Sequence, residues 1–501
     1  MVSSGLQIDS SGLDGLVISK KPKNIRGKKM DALLMSNNLF INSLSGAAAR
    51  RVIDRKAVQA LVVFAMLLAL ALPCLAQDTG GAGKDQGILP VPDYSGDFWS
   101  RSYLTGDWGG VRSDWAKKGI QANVQFVQTL QSVVDGGLDT ETKYGGTLDY
   151  NINLDLDRMD LLPGALVTFR GESRYGKTVN GITGQGLPAN LDGYVPLTRE
   201  LDEDIAITIT NLYYTQYLSD KFALMIGKFD LLQGDYNEFA GGGGRGVDQF
   251  MNYNLVTNAP GAYPAGYSAL GGGFIVMPTE QITINNYMFT TKDSSTNTGF
   301  NTFNDGWTWN TEAYFRYKLD KLPGGLMGGI MYSFDGDFTR LNGMYVRLPG
   351  GSLDVPTEDE TWSVYFNGWQ YLWVEDADAG PVDVSNGKLE HQGIGVFARV
   401  AFADEDTNPA KFFASAGVSG RGVIPGRDDD IFGLGYFYTD IEETRLGDVL
   451  GIDNHSQGFE VFYNLAIANS TFLSADIQWL DSPFSDIDNT MVVGTRLKIM
   501  F

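Results

Sequence analysis

Between residues 120 and 501 polar and apolar side chains alternate with a period of two, in runs broken by clusters of Gly, Asp, Asn and Pro. Such alternation sends successive side chains to opposite faces of an extended strand. In Asn151-Ile152-Asn153-Leu154-Asp155-Leu156-Asp157 the separation is complete. It recurs over residues 166–175, where Val167, Phe169 and Tyr175 share one face and Thr168, Arg170, Glu172 and Arg174 the other. Residues 311–319, 459–467 and 473–479 follow the rule less strictly, and about sixteen such runs are counted in all. One short helix is predicted ahead of them, over residues 111–118. Its Val111 and Trp115 stand four apart on one face, Lys117 and Lys118 suit the negative end, and Gly119 takes the left-handed cap.

Alternation alone also describes a soluble sandwich, whose sheets bury one face and wet the other. Two features separate the cases. Arg, Glu, Lys and Asp stand in mid-strand on the polar faces, as a watered lumen permits, and aromatic residues gather near strand ends, as interfacial girdles do. The chain also stops inside a strand, with Val493, Leu497, Ile499 and Phe501 on one face and Arg496 and Lys498 on the other. A terminal aromatic on such a strand resembles the signal by which the barrel assembly machinery recognises its substrates. Backbone polar groups in lipid need partners, so the sheet must close and the last strand must pair with the first. The fold class predicted is all-β: a transmembrane antiparallel β-barrel of about 16 strands, with a short N-terminal helix and a cleaved signal peptide.

The signal peptide is read from residues 58–75. Arg50, Arg51, Arg55 and Lys56 precede an apolar run, and small residues stand at −3 and −1 of a cut after Ala76. The run begins far from Met1, and Met30 or Met35 would give a more ordinary length. Pro73 argues against a lipoprotein cut at Cys74. The domains expected are a leader of doubtful translation over 1–56, the signal-peptide region over 57–76, a periplasmic linker and helix over 77–119, and the barrel over 120–501.

Composition narrows the class. Mean hydropathy is −0.13 and the charged fraction 20%, too polar for a bundle of membrane helices. Removing residues 1–76 takes away ten Lys or Arg and four Asp or Glu, so the formal charge moves from −22 to −28. A chain this acidic, without a basic stripe, is not built for nucleic acid. The single Cys leaves with the leader, which excludes disulfides, thiol nucleophiles and thiolate metal sites. With His391 and His455 as the only imidazoles no zinc cluster is expected, and neither Asp428-Asp429-Asp430 nor Asp335-Gly336-Asp337 has the spaced oxygens and closing Glu of a calcium loop. Gly241 to Gly244 lack the Gly-Lys-Ser/Thr continuation of a phosphate loop and read as an outer or inward loop. No cofactor is implied.

Three stretches carry a family resemblance. The first is Leu104-Thr105-Gly106-Asp107-Trp108-Gly109-Gly110-Val111-Arg112, followed by Lys118-Gly119-Ile120. The second, and most specific, runs from Val418 through Pro425-Gly426-Arg427-Asp428-Asp429-Asp430 to Gly435. The third is Glu460-Val461-Phe462-Tyr463 with Leu473, Asp476, Ile477 and Gln478, then Pro483 and the terminal strand. Together they resemble the carbohydrate-selective porins, the OprB-type family of Gram-negative outer membranes, over residues 100–501. The resemblance implies sixteen strands, short periplasmic turns, longer outer loops, one loop folded inward to narrow the pore, and facilitated diffusion of glucose-like sugars. The acidic stretches 358–360 and 375–378 read as outer-loop variation. Carbohydrate, outer-membrane lipid and lipopolysaccharide, and the assembly machinery are the partners expected, with the barrel a monomer or a homotrimer.

A sugar pore needs hydrogen-bonding groups for hydroxyls and aromatic faces for the apolar side of the ring. Arg170, Glu172 and Arg174 are the first candidates, at roughly 7 Å intervals along one strand face. Glu312, Arg316 and Lys318 have the same standing, and Arg399 follows, its face also carrying Gly393, Gly395 and Phe397. General lumen charge, serving water and wall stability, is the blander account of all seven. Trp369 with Tyr371, and Trp307 with Trp309, read as interfacial girdle more readily than as sugar path. Arg421 and Arg427 read as turn residues, Arg427 pairing with the Asp run. Three other functions compete: a general or cation-leaning porin, motivated by the charge; a barrel hydrolase using His391, taken as lying on a strand; and an adhesin.

Overall fold

The computed structural model describes residues 87–501 except 186–205, 234–235, 242–246, 344–345, 348–352, 355, 377–381, 383–388, 445–446 and 448–450. The leader and signal peptide, and residues 242–246 of the Gly run, lie outside the described residues.

Sixteen antiparallel strands close into one barrel. In chain order they are β1 (Ile120–Asp135), β2 (Thr142–Asp155), β3 (Ala165–Gly176), β4 (Thr208–Ser219), β5 (Phe222–Asp230), β6 (Ser268–Thr279), β7 (Ile282–Thr290), β8 (Trp307–Leu319), β9 (Leu322–Phe334), β10 (Thr361–Val374), β11 (Gly393–Ala403), β12 (Ala410–Arg421), β13 (Ile431–Ile441), β14 (His455–Ala468), β15 (Thr471–Asp481) and β16 (Thr490–Met500). Each pairs with its sequence neighbours, and β1 closes on β16 in register from Gln125↔Met500 to Asp135↔Met491, with one bulge between Val133 and Asp135. The fold class and strand number expected from the alternation are therefore borne out.

The alternation has one physical reading here. Leu130, Leu212, Phe315, Leu326, Phe366, Phe402, Leu434, Val461 and Ile477 are exposed, while inward neighbours such as Gln131, Asn211, Glu312, Asn367, Glu460 and Gln478 are buried. A soluble protein does the reverse; a barrel in lipid must do this.

Turn lengths orient the barrel. Connections 220–221, 280–281, 320–321 and 469–470 have two residues each and lie at the end that holds Phe501 and the N-terminal segment, whereas 177–207, 231–267, 291–306 and 335–360 lie at the other. The first end is periplasmic and the second faces outward. This corrects the placement of residues 375–378. Strand β10 descends from the outer connection 335–360, so the connection 375–392 returns at the periplasmic end. His391 also falls in that connection, before β11, and not on a strand.

The first motif is a latch over the closing seam. Gly106, Gly109 and Gly110 all have positive φ (61°, 70° and 101°), which their lack of a Cβ permits. Asp107 Oδ1 accepts from the Ser113 N–H (2.7 Å), and helix α1 (Val111–Lys117) follows. The helix buries Arg112 and Ala116, leaving Val111 and Trp115 exposed, so the face that packs is not the apolar one. Arg112 explains this. Its guanidinium lies 4.3 Å from the Tyr94 ring, 4.4 Å from Tyr103 and 5.0 Å from Trp108, and Nη2 donates to the carbonyls of Ala122 (2.9 Å) and Phe501 (3.3 Å). One side chain thereby ties the N-terminal segment to the first strand and the last residue. Phe501 also donates its N–H to Val124 O (2.8 Å).

Candidate functional site

The connection 231–267 is long, and in the described parts it is rich in aromatic and amide side chains. Exposed loops are seldom built that way. It folds into the barrel: Asn237, Glu238, Phe239, Ala240, Gln249, Phe250, Met251, Asn252, Leu255 and Val256 are all buried. Glycines on the inner faces of β11 and β13 make sockets for it. A Cβ at Gly395 would sit 2.1 Å from Phe239 Cζ, and one at Gly435 would sit 2.8 Å from Leu255 Cδ2. Phe250 packs edge-on against Phe397 (5.5 Å) and Phe462 (4.8 Å). Gly395, one of the glycines that weakened Arg399 as a sugar ligand, is thus part of the seat of the inward loop.

Polar clasps hold the loop there. Arg399 donates to Ala240 O (2.6 Å), Leu255 O (2.8 Å) and Val256 O (3.4 Å). The Glu460 carboxylate accepts from the backbone N–H groups of Met251 (2.7 Å) and Asn252 (2.8 Å), and Asn252 Nδ2 donates to Gln478 (3.0 Å). Arg496 reaches Gln249 O (2.6 Å), and Lys498 pairs with Asp248. Asn237 bonds Asn367 (2.6 Å). Arg399 therefore positions the loop and is 2% exposed. Trp369 and Tyr371, expected at the membrane interface, turn inward beneath the loop, with Phe239 6.3 Å and 4.7 Å away. Their parity on β10 decides it, since Asn367 on the same face meets the loop. Trp307 and Trp309 stand on the opposite parity to the buried Asn310 and Glu312, on the outer wall.

On β2 and β3 a second cluster forms. Arg170 lies against three carboxylates: Asp149 (2.8 Å), Glu172 (3.0 Å) and Asp230 (2.9 Å). Glu172 also accepts from Arg174 Nη2 (3.0 Å) and the Tyr267 hydroxyl (2.8 Å). The structure thus brings Arg170, Glu172 and Arg174 together and adds Asp149, Asp230 and Tyr267, which alternation alone did not single out. Arg170 is enclosed by its partners. Arg174, its side chain only 7% exposed, has Nε and Nη1 buried without a partner among the described residues. On β8, Glu312 accepts from Tyr314 (2.7 Å) and Tyr365 (2.8 Å), Arg316 donates to Thr283 (3.1 Å), and Lys318 is exposed near the periplasmic turn. In the second motif Arg427 pairs with Asp430 (2.6 Å) and Arg421 with Asp429 (2.6 Å) around a turn with Gly426 at φ 76°, at the periplasmic end. Pro425 and Asp428 belong to the same connection, 422–430.

One clasp is tuned by pH. Burial pushes the Glu238 carboxyl up to about 7, against the lowering effects of the Tyr371 hydroxyl (2.5 Å), the Glu390 N–H (2.9 Å) and Arg421; the Glu390 carboxylate raises it further. His391 packs on Tyr371 (5.7 Å) beside them. The folded state therefore keeps a proton that the unfolded chain releases near 4.5, and the stability this adds is complete below 4.5 and lost as pH rises through 7. Single-channel recordings should show more loop-dependent current fluctuation at pH 8 than at pH 5, and Glu238→Gln should reduce that difference.

The sequence model of the carbohydrate-selective porin, OprB family, matches residues 139–501. Porin B of Pseudomonas aeruginosa is 20% identical over 435 residues, 80% of this chain and 91% of that protein. The high-pH structure of Pseudomonas putida OprB superposes with a TM-score of 0.67 at 19% identity, covering 81% of this chain and all of that one. The low-pH structure of the same protein gives a TM-score of 0.52 at 15% identity, covering 80% and 99%.

Proposed function

This chain belongs to the carbohydrate-selective porin family, OprB, a family of outer-membrane channels, and from that premise we propose that it passes glucose-like monosaccharides across the outer membrane by facilitated diffusion. The observation that carries the reading is the clasped inward loop: a closed barrel narrowed by a polar and aromatic segment has the means to select solutes by shape and hydrogen bonding. Arg174 on β3 and Arg316 and Glu312 on β8 are the charged groups offered to sugar hydroxyls; Arg170 and Arg399 act on the wall and the loop, and Lys318 acts at the periplasmic mouth. Phe501 serves as the recognition residue for barrel assembly. Export proceeds through a signal peptide cut after Ala76, into an outer membrane of phospholipid and lipopolysaccharide.

Swelling of liposomes bearing the full-length protein tests the reading. Faster swelling in glucose and other monosaccharides than in amino acids of similar size is the expected result. Equal rates would make it a general porin, and no swelling would favour an adhesin or a barrel enzyme.

A further inference from the structure

Rings from several adjacent strands form a patch on the inner wall. Phe229 of β5 stacks on Tyr213 of β4 at 5.0 Å, with planes 23° apart, and lies 6.1 Å from Tyr287 of β7. The Tyr287 hydroxyl donates to Met225 Sδ (3.7 Å), and Tyr236, on the inward loop, packs on Tyr314 of β8 at 5.7 Å. Strand parity puts the patch inside: Tyr287 faces Asn310 across β7–β8, and Asn310 Nδ2 donates to Tyr365 in the lumen.

These rings differ from those under the loop. Phe239, Phe250 and Tyr371 are fully buried, whereas Tyr213, Phe229 and Tyr287 are half-buried, so part of each ring stays open to the lumen. Glycine lets Tyr287 lie flat. The residue opposite it on β6 is Gly273, where a Cβ would stand 2.5 Å from Tyr287 Cδ1. A ring laid on glycine shows its face, not its edge, to the pore.

Polar groups stand beside that face. Two residues earlier on the same face of β7, Asn285 is 8% exposed and its Oδ1 has no partner among the described residues. Two residues before that, Thr283 accepts from Arg316. A pyranose offers both halves of the match: an apolar C–H face for the ring and hydroxyls at its rim for the polar side chains beside it.

We propose that Tyr287, flanked by Phe229 and Tyr213 and edged by Asn285 and Arg316, is a stacking subsite for a pyranose ring on its way through the channel. The assignment rests on the sugar-channel reading and goes further, naming the surface that makes sugar passage saturable.

The test is glucose block of ion current through the full-length protein in planar bilayers. Tyr287→Leu keeps apolar bulk and removes the aromatic face, and Tyr287→Phe keeps the face and removes the hydroxyl. The half-saturating glucose concentration should rise roughly three- to tenfold for Tyr287→Leu, the range one aromatic contact supplies, and should stay within about twofold for Tyr287→Phe. If Tyr287→Leu gives no closed barrel by heat-modifiable mobility, Phe229→Leu replaces it with the same expectation. An unchanged half-saturation in the Leu variant, or an equal loss in the Phe variant, overturns the subsite while leaving the channel reading standing. A wild-type current that glucose does not affect overturns both.

Discussion

Arg399→Met should free the inward loop and widen the pore, with a higher single-channel conductance and passage of solutes that the wild-type protein excludes. Methionine preserves much of the bulk and leaves three loop carbonyls, of Ala240, Leu255 and Val256, without the donor that now satisfies them. Each buried acceptor left unpaired costs about 1–3 kcal/mol. A total of roughly 3 kcal/mol or more shifts the packed-to-released equilibrium by about two orders of magnitude. Lysine should not rescue the variant, because a single ammonium cannot reproduce a planar fork that spans carbonyls on both sides of the loop. The expected profile is specific. Conductance and size exclusion change while the barrel itself remains closed, since Arg399 forms no part of the seam.

Arg170→Ala should do the opposite, harming the wall more than the filter. It leaves Asp149, Glu172 and Asp230 facing one another in a buried place with their shared cation gone. Removing one partner from such a cluster costs about 3–5 kcal/mol, read as a lowered urea midpoint for unfolding from detergent or bilayer. Adding Asp149→Asn and Asp230→Asn to Arg170→Ala should restore much of the loss, since the penalty is uncompensated charge and not lost volume. Arg316→Ala is the internal control: half-buried, with one hydroxyl acceptor at 3.1 Å, it should cost no more than about 1 kcal/mol. A loss of similar size in both variants would show that the three carboxylates do not depend on Arg170.

The barrel was legible in the sequence because its signal is local. Pleating puts residues two apart on one face, so Asn151 to Asp157 announce their own strand without knowledge of any partner. That one loop folds inward was implied by the resemblance, and Gly241 to Gly244 were read as an outer or inward loop; what holds it was not legible, because the determinants are remote: Asn252 meets Glu460 208 residues away, and Asn237 meets Asn367 130 residues away. Its length and its Phe250-Met251 and Leu255-Val256 pairs were the available signal, since a connection of 37 residues carrying such apolar pairs has to pack on something. The charged face of β3 was found, but Asp230 lies 60 residues from Arg170 and no periodicity joins them. Residues 375–378 were read as outer-loop variation from their acidity alone, which carries no mark of the barrel end; side alternates from one connection to the next, and only the strand boundaries on either side settle it. Helix α1 misled because a single buried Arg112, caged by three rings, outweighed the apolar pair Val111 and Trp115.

The central claim is that sugar occupies the lumen of this barrel where the clasped loop narrows it. Titrating glucose against the ion current of single wild-type channels addresses this directly. A saturable fall in current, absent with an amino acid of similar size, is the result predicted here; a current that does not change with glucose at any concentration would contradict it.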